Sequence, residues 1–243
     1  MSKTRVPPVT TAPVLYDKSG AIALVTLNRP EVLNAYNVAM RDALYGIFQA
    51  VRDDPGVRVV ILQGNGPAFC SGGDIREFGT APSPVAARTI RWQRDVWGLF
   101  WSLPAITVAA VYGAVVGSGL EMMVLCDIAI ASADARFALP ETGLGMIPGV
   151  AGTQTVPRLL GLGRGLDLVL TGRWLDAKAA RRLGMVSRVV PAQRLRTAAL
   201  RRARRLAQIP APLAAALKRT INSTWELPLT EGLALEQRLA WSN

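Results

Sequence analysis

Histidine is absent from all 243 residues of this sequence. Its absence excludes a Ser-His-Asp triad, a Cys-His dyad and any zinc or haem iron held by imidazole. Proton transfer at an active site must therefore come from carboxylates, lysine, tyrosine, cysteine or the backbone. We predict no metal site.

Cysteine is almost absent too, because only Cys70 and Cys126 occur. They are far apart and form no C-x-x-C motif, so the sequence predicts no disulfide framework and favours a reducing compartment. Cys70 also lacks a base that could activate it as a nucleophile. Segment 1–14 has no apolar core like that of a signal peptide, and the uncharged stretch 96–120 is broken by proline and glycine. We therefore expect a cytoplasmic protein without a membrane span.

Acidic residues are scarce relative to basic ones, with 17 Asp and Glu against 28 Lys and Arg and a net charge of +11. The excess lies between Arg164 and Arg219, where 14 basic residues and two acids give +12, so the rest of the chain sums to −1. Such a segment is a solvated helical surface, a site for a phosphate-bearing ligand or a nucleic-acid patch. Charge alone leaves all three open.

Hydrophobic residues make up 50% of the chain, which is typical of one globular unit with a continuous core. Apolar, β-branched runs alternate with segments in which apolar residues recur at helical spacing. Glycine-rich turns connect several of these segments. The predicted strands are 21–27, 57–63, 106–111 and 127–132, and the predicted helices are 37–53, 85–102 and 120–126, with helices dominating beyond 153. This rhythm predicts an α/β core whose strands lead into helices that offer free N–H groups.

Two glycine-rich turns are the first candidate site, PAFCSGGDI at 67–75 and GAVVGSGLE at 113–121. Small residues let a ligand approach the main chain, and two converging N–H groups would form an oxyanion hole. The alternative is that both are tightly packed structural turns. Neither matches a phosphate-binding motif.

Two glutamates are candidate acid–base groups, and each has a structural alternative. Ser118 and Glu121 match the S-x-x-E capping box, in which the glutamate only satisfies a backbone N–H. Glu121 also borders an apolar run, where burial would raise its pKa and suit it to proton transfer. Glu141 lies among apolar residues and is either exposed on a loop or held in an apolar pocket.

Five segments, in order, resemble the crotonase superfamily of enoyl-CoA hydratase/isomerase proteins. They are LNRPEVLNAYN (27–37), AFCSGGDIREF (68–78), PAITVAAVYGAVVGSGLEMMVLCDIAIAS (104–132), FALPETGLGMIPGVAGTQ (137–154) and LTGRWLDAKAARRLGMVSRVV (170–190). The resemblance runs from about residue 14 to about 220. It implies an α/β spiral of β-β-α turns over 1–190 and a shortened C-terminal helical, oligomer-forming region over 191–243. A homotrimer or dimer of trimers is implied.

The resemblance implies an acyl-CoA thioester as substrate and no separate cofactor. It places the backbone N–H groups of Ser71 and Ser118 in an oxyanion hole, where Ser118 stands in place of the usual glycine. A positive φ there would strain serine. The residues implied in acyl-CoA binding are Arg29, Val32, Ala68, Gly72, Gly73, Asp74 and Arg76.

The resemblance also implies that Glu121 activates water, that Glu141 delivers a proton to the α-carbon and that Gly149 helps to orient the water. Because both glutamates are present, it favours hydration of a trans-2-enoyl-CoA to the 3-hydroxyacyl-CoA, in fatty acid or related acyl-CoA metabolism. Alternatives are double-bond isomerisation and a weakly active acyl-CoA-binding relative. Nucleic-acid binding is disfavoured because the arginines of 201–205 have no interleaved aromatic residues.

Overall fold

The computed structural model describes residues 12–241, except for the side chains of residues 91 and 92. The prediction that the N-terminus is not a signal peptide rests largely on residues 1–11, which lie outside the described residues.

Nine strands form two sheets within this described range. They are β1 Val14–Ser19, β2 Ile22–Leu27, β3 Val59–Gly64, β4 Ile106–Val111, β5 Ala114–Val116, β6 Ile128–Ser132, β7 Arg136–Ala138, β8 Leu175–Asp176 and β9 Arg188–Val190. The larger sheet has the order β1-β2-β3-β4-β6-β9 and is parallel apart from the β1–β2 pair. The smaller sheet is β5-β7-β8, with β5 and β7 parallel.

Ten α-helices occur between residues 12 and 241. They are α1 Val38–Asp53, α2 Pro84–Trp92, α3 Val96–Trp101, α4 Ser118–Leu125, α5 Gly152–Leu160, α6 Leu162–Thr171, α7 Ala177–Arg182, α8 Leu195–Leu206, α9 Ala211–Asn222 and α10 Leu229–Ala240. The parallel strands of the larger sheet require crossover connections, and helices α1 to α7 lie within them. The predicted α/β spiral followed by C-terminal helices is confirmed.

Helix α1 illustrates how the sequence specifies a crossover. The Asn37 side chain accepts a hydrogen bond from the Met40 N–H and caps the helix. Met40, Leu44 and Phe48 then recur at every fourth residue and are fully buried. Burying side chains of this size stabilises the fold by about 2 kcal/mol each, so this face packs on the core.

The structure differs from the predicted elements in two places. The single helix predicted over 85–102 is two helices, because the Asp95 side chain accepts a hydrogen bond from the Gly98 N–H and begins α3. Beyond residue 153, where helices were predicted to dominate, the chain also forms β8 and β9. These strands have two and three residues, too few to produce a periodic pattern.

The C-terminal region begins with a helix that packs on the larger sheet. Leu195, Ala199 and Ala203 of α8 are buried in a cluster with residues of β3, β4 and β6. Its arginines lie on the remaining surface; they are Arg196, Arg201, Arg202, Arg204 and Arg205. Much of the predicted basic segment is therefore a helical surface. None of the helices within residues 12–241 has both the length and the apolarity needed to cross a bilayer.

Candidate active site

The two glycine-rich turns lie side by side. The Cys70 N–H donates to Ala114 O and the Val116 N–H donates to Cys70 O, each at 3.0 Å. These bonds continue the smaller sheet beyond β5 and align the residues that follow. Gly119 allows this approach, because a Cβ atom on it would lie 2.5 Å from Cys70 O. The segments that lead to Ser71 and to Ser118 therefore run side by side.

Helix α4 begins at Ser118, and the unusual backbone conformation belongs to the residue before it. Gly117 has φ +50° and ψ −122°, a conformation open to glycine, whereas Ser118 is not among the residues with positive φ. Ser118 therefore does not have the positive φ that would have strained it. Within residues 12–241 we find no acceptor for the Ser118 N–H, which leaves this donor free for a ligand.

The other predicted donor already has a partner in this structure. The Ser71 N–H donates to Leu33 O at 3.0 Å. Leu33 and Asn34 both have positive φ, at 52° and 56°, so the carbonyl is presented by a tight left-handed turn. A thioester oxygen would have to replace Leu33 O before it could use the Ser71 N–H.

Glu121 is buried in the first turn of α4, with 1% of its surface exposed. Its Oε1 accepts hydrogen bonds from the N–H groups of Val150, Ala151 and Gly152, at 3.0, 2.9 and 2.6 Å. The N-cap of α4 is Gly117, and no side chain caps that helix. The capping-box interpretation is therefore wrong. Three donors at the positive end of α5 favour a carboxylate at this position.

Glu141 follows β7 and faces the start of α4. A Cβ atom on Gly117 would lie 2.6 Å from Glu141 Oε1, so glycine makes room for the carboxyl group. Among the described atoms, Oε2 is buried and has no hydrogen-bond partner. Burial, with a contribution from the Glu121 charge, raises the pKa of Glu141 to about 7. The interpretation as an acid in a pocket is favoured over that of an exposed loop residue.

Three of the predicted acyl-CoA-binding residues are charged, and they form one ion-paired group around Asp74. Asp74 is 5% exposed and accepts hydrogen bonds from Arg29 Nη2 at 2.9 Å and Arg76 Nη2 at 2.7 Å. These guanidinium groups, Arg76 foremost, hold the pKa of Asp74 well below its usual range. Arg29 also donates to Ala35 O. Arg29 and Asp74 thus brace the loop. Arg76 binds the same carboxylate through Nε and Nη2, while 63% of its side chain stays exposed.

The remaining predicted residues are small or apolar and lie around these groups. Ala68 and Gly72 are buried, and Gly73 and Val32 are partly exposed. Gly149 is exposed and directly precedes the three residues whose N–H groups hold Glu121. All these predicted residues therefore lie on the loops that follow β2, β3, β5 and β7.

Sequence reasoning missed the groups that hold the site together. The donors at 150–152 carry no side-chain signal, because backbone N–H groups exist at every non-proline residue. Asn34 is fully buried, and its Nδ2 donates to Asn65 O and Ala68 O, both at 2.9 Å. An asparagine soon after an Arg-Pro turn could have indicated a side chain that holds neighbouring loops together. Phe78 was also missed, and its ring covers Gly73.

The thiols do not contribute chemistry. Cys70 and Cys126 are free, and burial raises the pKa of the Cys70 thiol to about 12. A thiol with that pKa is not ionised at neutral pH, which agrees with the prediction that Cys70 is not a nucleophile. No cluster of three or more His, Cys, Asp and Glu side chains suited to a metal occurs in the described part of the chain.

Comparison with known proteins identifies the same architecture. The family model for enoyl-CoA hydratase/isomerase matches residues 17–242. The probable enoyl-CoA hydratase of Rhizobium meliloti is 38% identical over 229 residues, covering 93% of this chain and 87% of the relative. An enoyl-CoA hydratase structure from Geobacillus kaustophilus is 33% identical with a TM-score of 0.89, covering 94% and 88% of the two chains.

A Thermobifida fusca relative solved in complex with CoA is 29% identical with a TM-score of 0.89, covering 95% of this chain and 92% of that one. Sequence and fold therefore agree. The chain belongs to the enoyl-CoA hydratase/isomerase family, the crotonase superfamily.

Proposed function

We propose that this protein is an enoyl-CoA hydratase, which adds water to a trans-2-enoyl-CoA to give the 3-hydroxyacyl-CoA. One observation carries the proposal: two carboxyl groups, Glu121 and Glu141, border a free backbone donor at Ser118. Hydration needs such a set, namely a base for water, an acid for carbon and a donor for the thioester oxygen.

The proposed reaction begins with the thioester oxygen accepting a hydrogen bond from the Ser118 N–H. The Ser71 N–H joins it once the ligand replaces Leu33 O. A water molecule loses a proton to Glu121 while its oxygen bonds to C3. The C2–C3 π electrons move toward the thioester and form an enolate, whose charge the N–H donors stabilise. As the enolate collapses, C2 takes the proton of Glu141, and no external reductant or oxidant is needed.

The division of roles between the carboxyl groups follows from their surroundings. Glu121 faces three N–H donors, which stabilise a carboxylate. Glu141 Oε2 is buried without a donor, and the nearby charge of Glu121 opposes its ionisation. A pair that shares one proton can therefore supply both a base and an acid at neutral pH.

Turnover tests the proposal directly. Purified protein is mixed with short, medium and long trans-2-enoyl-CoA thioesters, and the absorbance of the conjugated thioester is followed. We expect the absorbance to fall with at least one chain length as the 3-hydroxyacyl-CoA forms. Stable absorbance with all three would refute hydratase activity.

We predict that kcat/KM declines above about pH 7 in both directions of the reaction. The active free enzyme carries one proton on the Glu121–Glu141 pair, and that proton is lost as the pH rises through the Glu141 pKa of about 7. Dehydration of the product needs the same singly protonated pair, so both profiles should fall together. Profiles measured with enoyl-CoA and 3-hydroxyacyl-CoA check this, and a constant kcat/KM well above pH 7 would contradict it.

We also propose that the protein assembles as a homotrimer or a dimer of trimers. The C-terminal helices carry exposed apolar side chains that include Leu213, Leu217, Ile221, Leu229 and Leu233, at 37, 48, 64, 78 and 49% exposure. Exposed apolar surface of this kind marks interaction sites. Light scattering after size exclusion should give three or six times the 26.0 kDa chain mass, whereas a monomer mass would contradict the assembly.

The proposed location is the cytoplasm. Cys70 and Cys126 are both free thiols, which supports a reducing compartment. Fractionation of the source cells should recover the protein with the soluble contents, and recovery from the secreted fraction would overturn this location.

A further inference from the structure

The Ser118 side chain is a polar group of the site that the proposed chemistry does not use. Ser118 is partly exposed and begins α4. Its hydroxyl has no hydrogen-bond partner among the residues that the structure describes, and neither has its N–H. Both donors of one residue are thus available where the substrate carbonyl must bind. A hydroxyl can rotate its O–H toward whichever acceptor arrives.

The orientation of this hydroxyl places it on the ligand side of α4. Ser118 Oγ lies 4.0 Å from the position of a Cβ atom on Gly73. Gly73 follows Ser71 by two residues, so Oγ extends across the gap toward the strand that carries the other N–H donor. The Phe78 ring borders the same space, because its Cζ lies 2.9 Å from that Cβ position. The Ser118 hydroxyl and the Phe78 ring therefore both lie near Gly73.

We propose that the Ser118 hydroxyl donates a further hydrogen bond to the thioester oxygen, beside the N–H of the same residue. The proposal rests on the proposed hydratase function. The N–H and Oγ of one serine lie close enough to bind one oxygen atom together. In the enolate this oxygen gains negative charge, so the hydroxyl stabilises the transition state more than the bound substrate. Serine at this position thus adds a donor that glycine could not supply.

Ser118→Ala tests this proposal, because it removes Oγ and keeps the N–H and the Cβ atom. We expect kcat for a short trans-2-enoyl-CoA to fall by about 10-fold or more, with little change in KM, as for loss of an oxyanion donor. Ser102→Ala is the matched control, since the Ser102 hydroxyl donates to Leu99 O at the end of α3, outside the site. This control should keep the wild-type kcat.

A second readout reports on the carbonyl itself and does not need turnover. The chromophoric thioester 4-(dimethylamino)cinnamoyl-CoA absorbs at longer wavelength when its carbonyl oxygen is polarised by donors. Bound to Ser118→Ala, it should show a smaller red shift than when bound to the wild type or to Ser102→Ala. An unchanged kcat, a fall in kcat with an unchanged red shift, or a change in KM alone would overturn the proposal.

The two readouts separate this inference from the proposed function. If the wild type hydrates no enoyl-CoA, the hydratase proposal fails, and the red shift of the bound chromophore still decides whether the hydroxyl contacts the carbonyl. If the wild type is active and Ser118→Ala equals it in both readouts, only the role of the hydroxyl fails.

Discussion

Glu121→Gln and Glu141→Gln should each lower kcat for enoyl-CoA hydration by roughly 10²- to 10⁴-fold, the usual contribution of a general acid or base. Glutamine keeps the shape of the side chain and cannot exchange a proton at neutral pH. At position 121 its amide oxygen can still accept hydrogen bonds from the N–H groups of residues 150–152. The loss should therefore be chemical, with native stability largely retained.

Initial rates with a short trans-2-enoyl-CoA, together with thermal unfolding, measure this effect. Glu231→Gln is the matched control, because Glu231 is exposed on α10 and lies outside the catalytic loops. It should keep wild-type activity. If either active-site variant retains full kcat, the role assigned to that carboxyl group is wrong.

Ser118→Pro should lower kcat by at least about 10²- to 10³-fold, the range found when one oxyanion donor is removed, and by more than Ser118→Ala, because it removes the N–H as well as the hydroxyl. Proline has no N–H, and Ser118 is the first residue of α4, a position at which proline fits the helix. Gly117 has φ +50° and ψ −122°. These angles have the opposite signs to those of the extended conformation that normally precedes proline. Because glycine adopts both hands, the helix can still begin at the same residue.

Steady-state kinetics and circular dichroism of Ser118→Pro check this prediction. Leu162→Pro is a matched control, since Leu162 is the first residue of α6, is 69% exposed and, like Ser118, follows a glycine with positive φ, at φ 85° and ψ 150°. That variant should keep wild-type kcat. A folded Ser118→Pro protein with near wild-type turnover would show that the Ser118 N–H does not hold the thioester oxygen.

The sequence predicted the site better than it predicted the contacts within it. The order of the glycine-rich turns and the two glutamates identified the family, and the comparisons confirm it. The S-x-x-E pattern of Ser118 and Glu121 did not show whether Glu121 caps the helix or is a buried base. That decision depends on Gly117, whose φ of +50° makes it the N-cap. Backbone angles of a single glycine are set by tertiary packing, which one sequence does not show.

The Ser71 N–H illustrates a second kind of contact that the sequence did not predict. Its N–H is bonded to Leu33 O, a contact between segments 38 residues apart in sequence. It arises because Leu33 and Asn34 adopt left-handed conformations and the Asn34 side chain is buried beneath the loop. Hydrogen bonds between loops leave no periodic pattern in the sequence, unlike the four-residue spacing that predicted α1.

The central claim is that Glu121 and Glu141 add the elements of water to the substrate double bond. The most direct measurement is mass spectrometry and NMR of the product formed from crotonyl-CoA in D₂O. The account predicts 3-hydroxybutyryl-CoA with one carbon-bound deuterium at the α-carbon, and almost no product from Glu121→Gln or Glu141→Gln. Recovery of unchanged substrate from crotonyl-CoA and from the medium and long enoyl-CoA thioesters alike, or of a product whose double bond has moved without gain of oxygen, would contradict it.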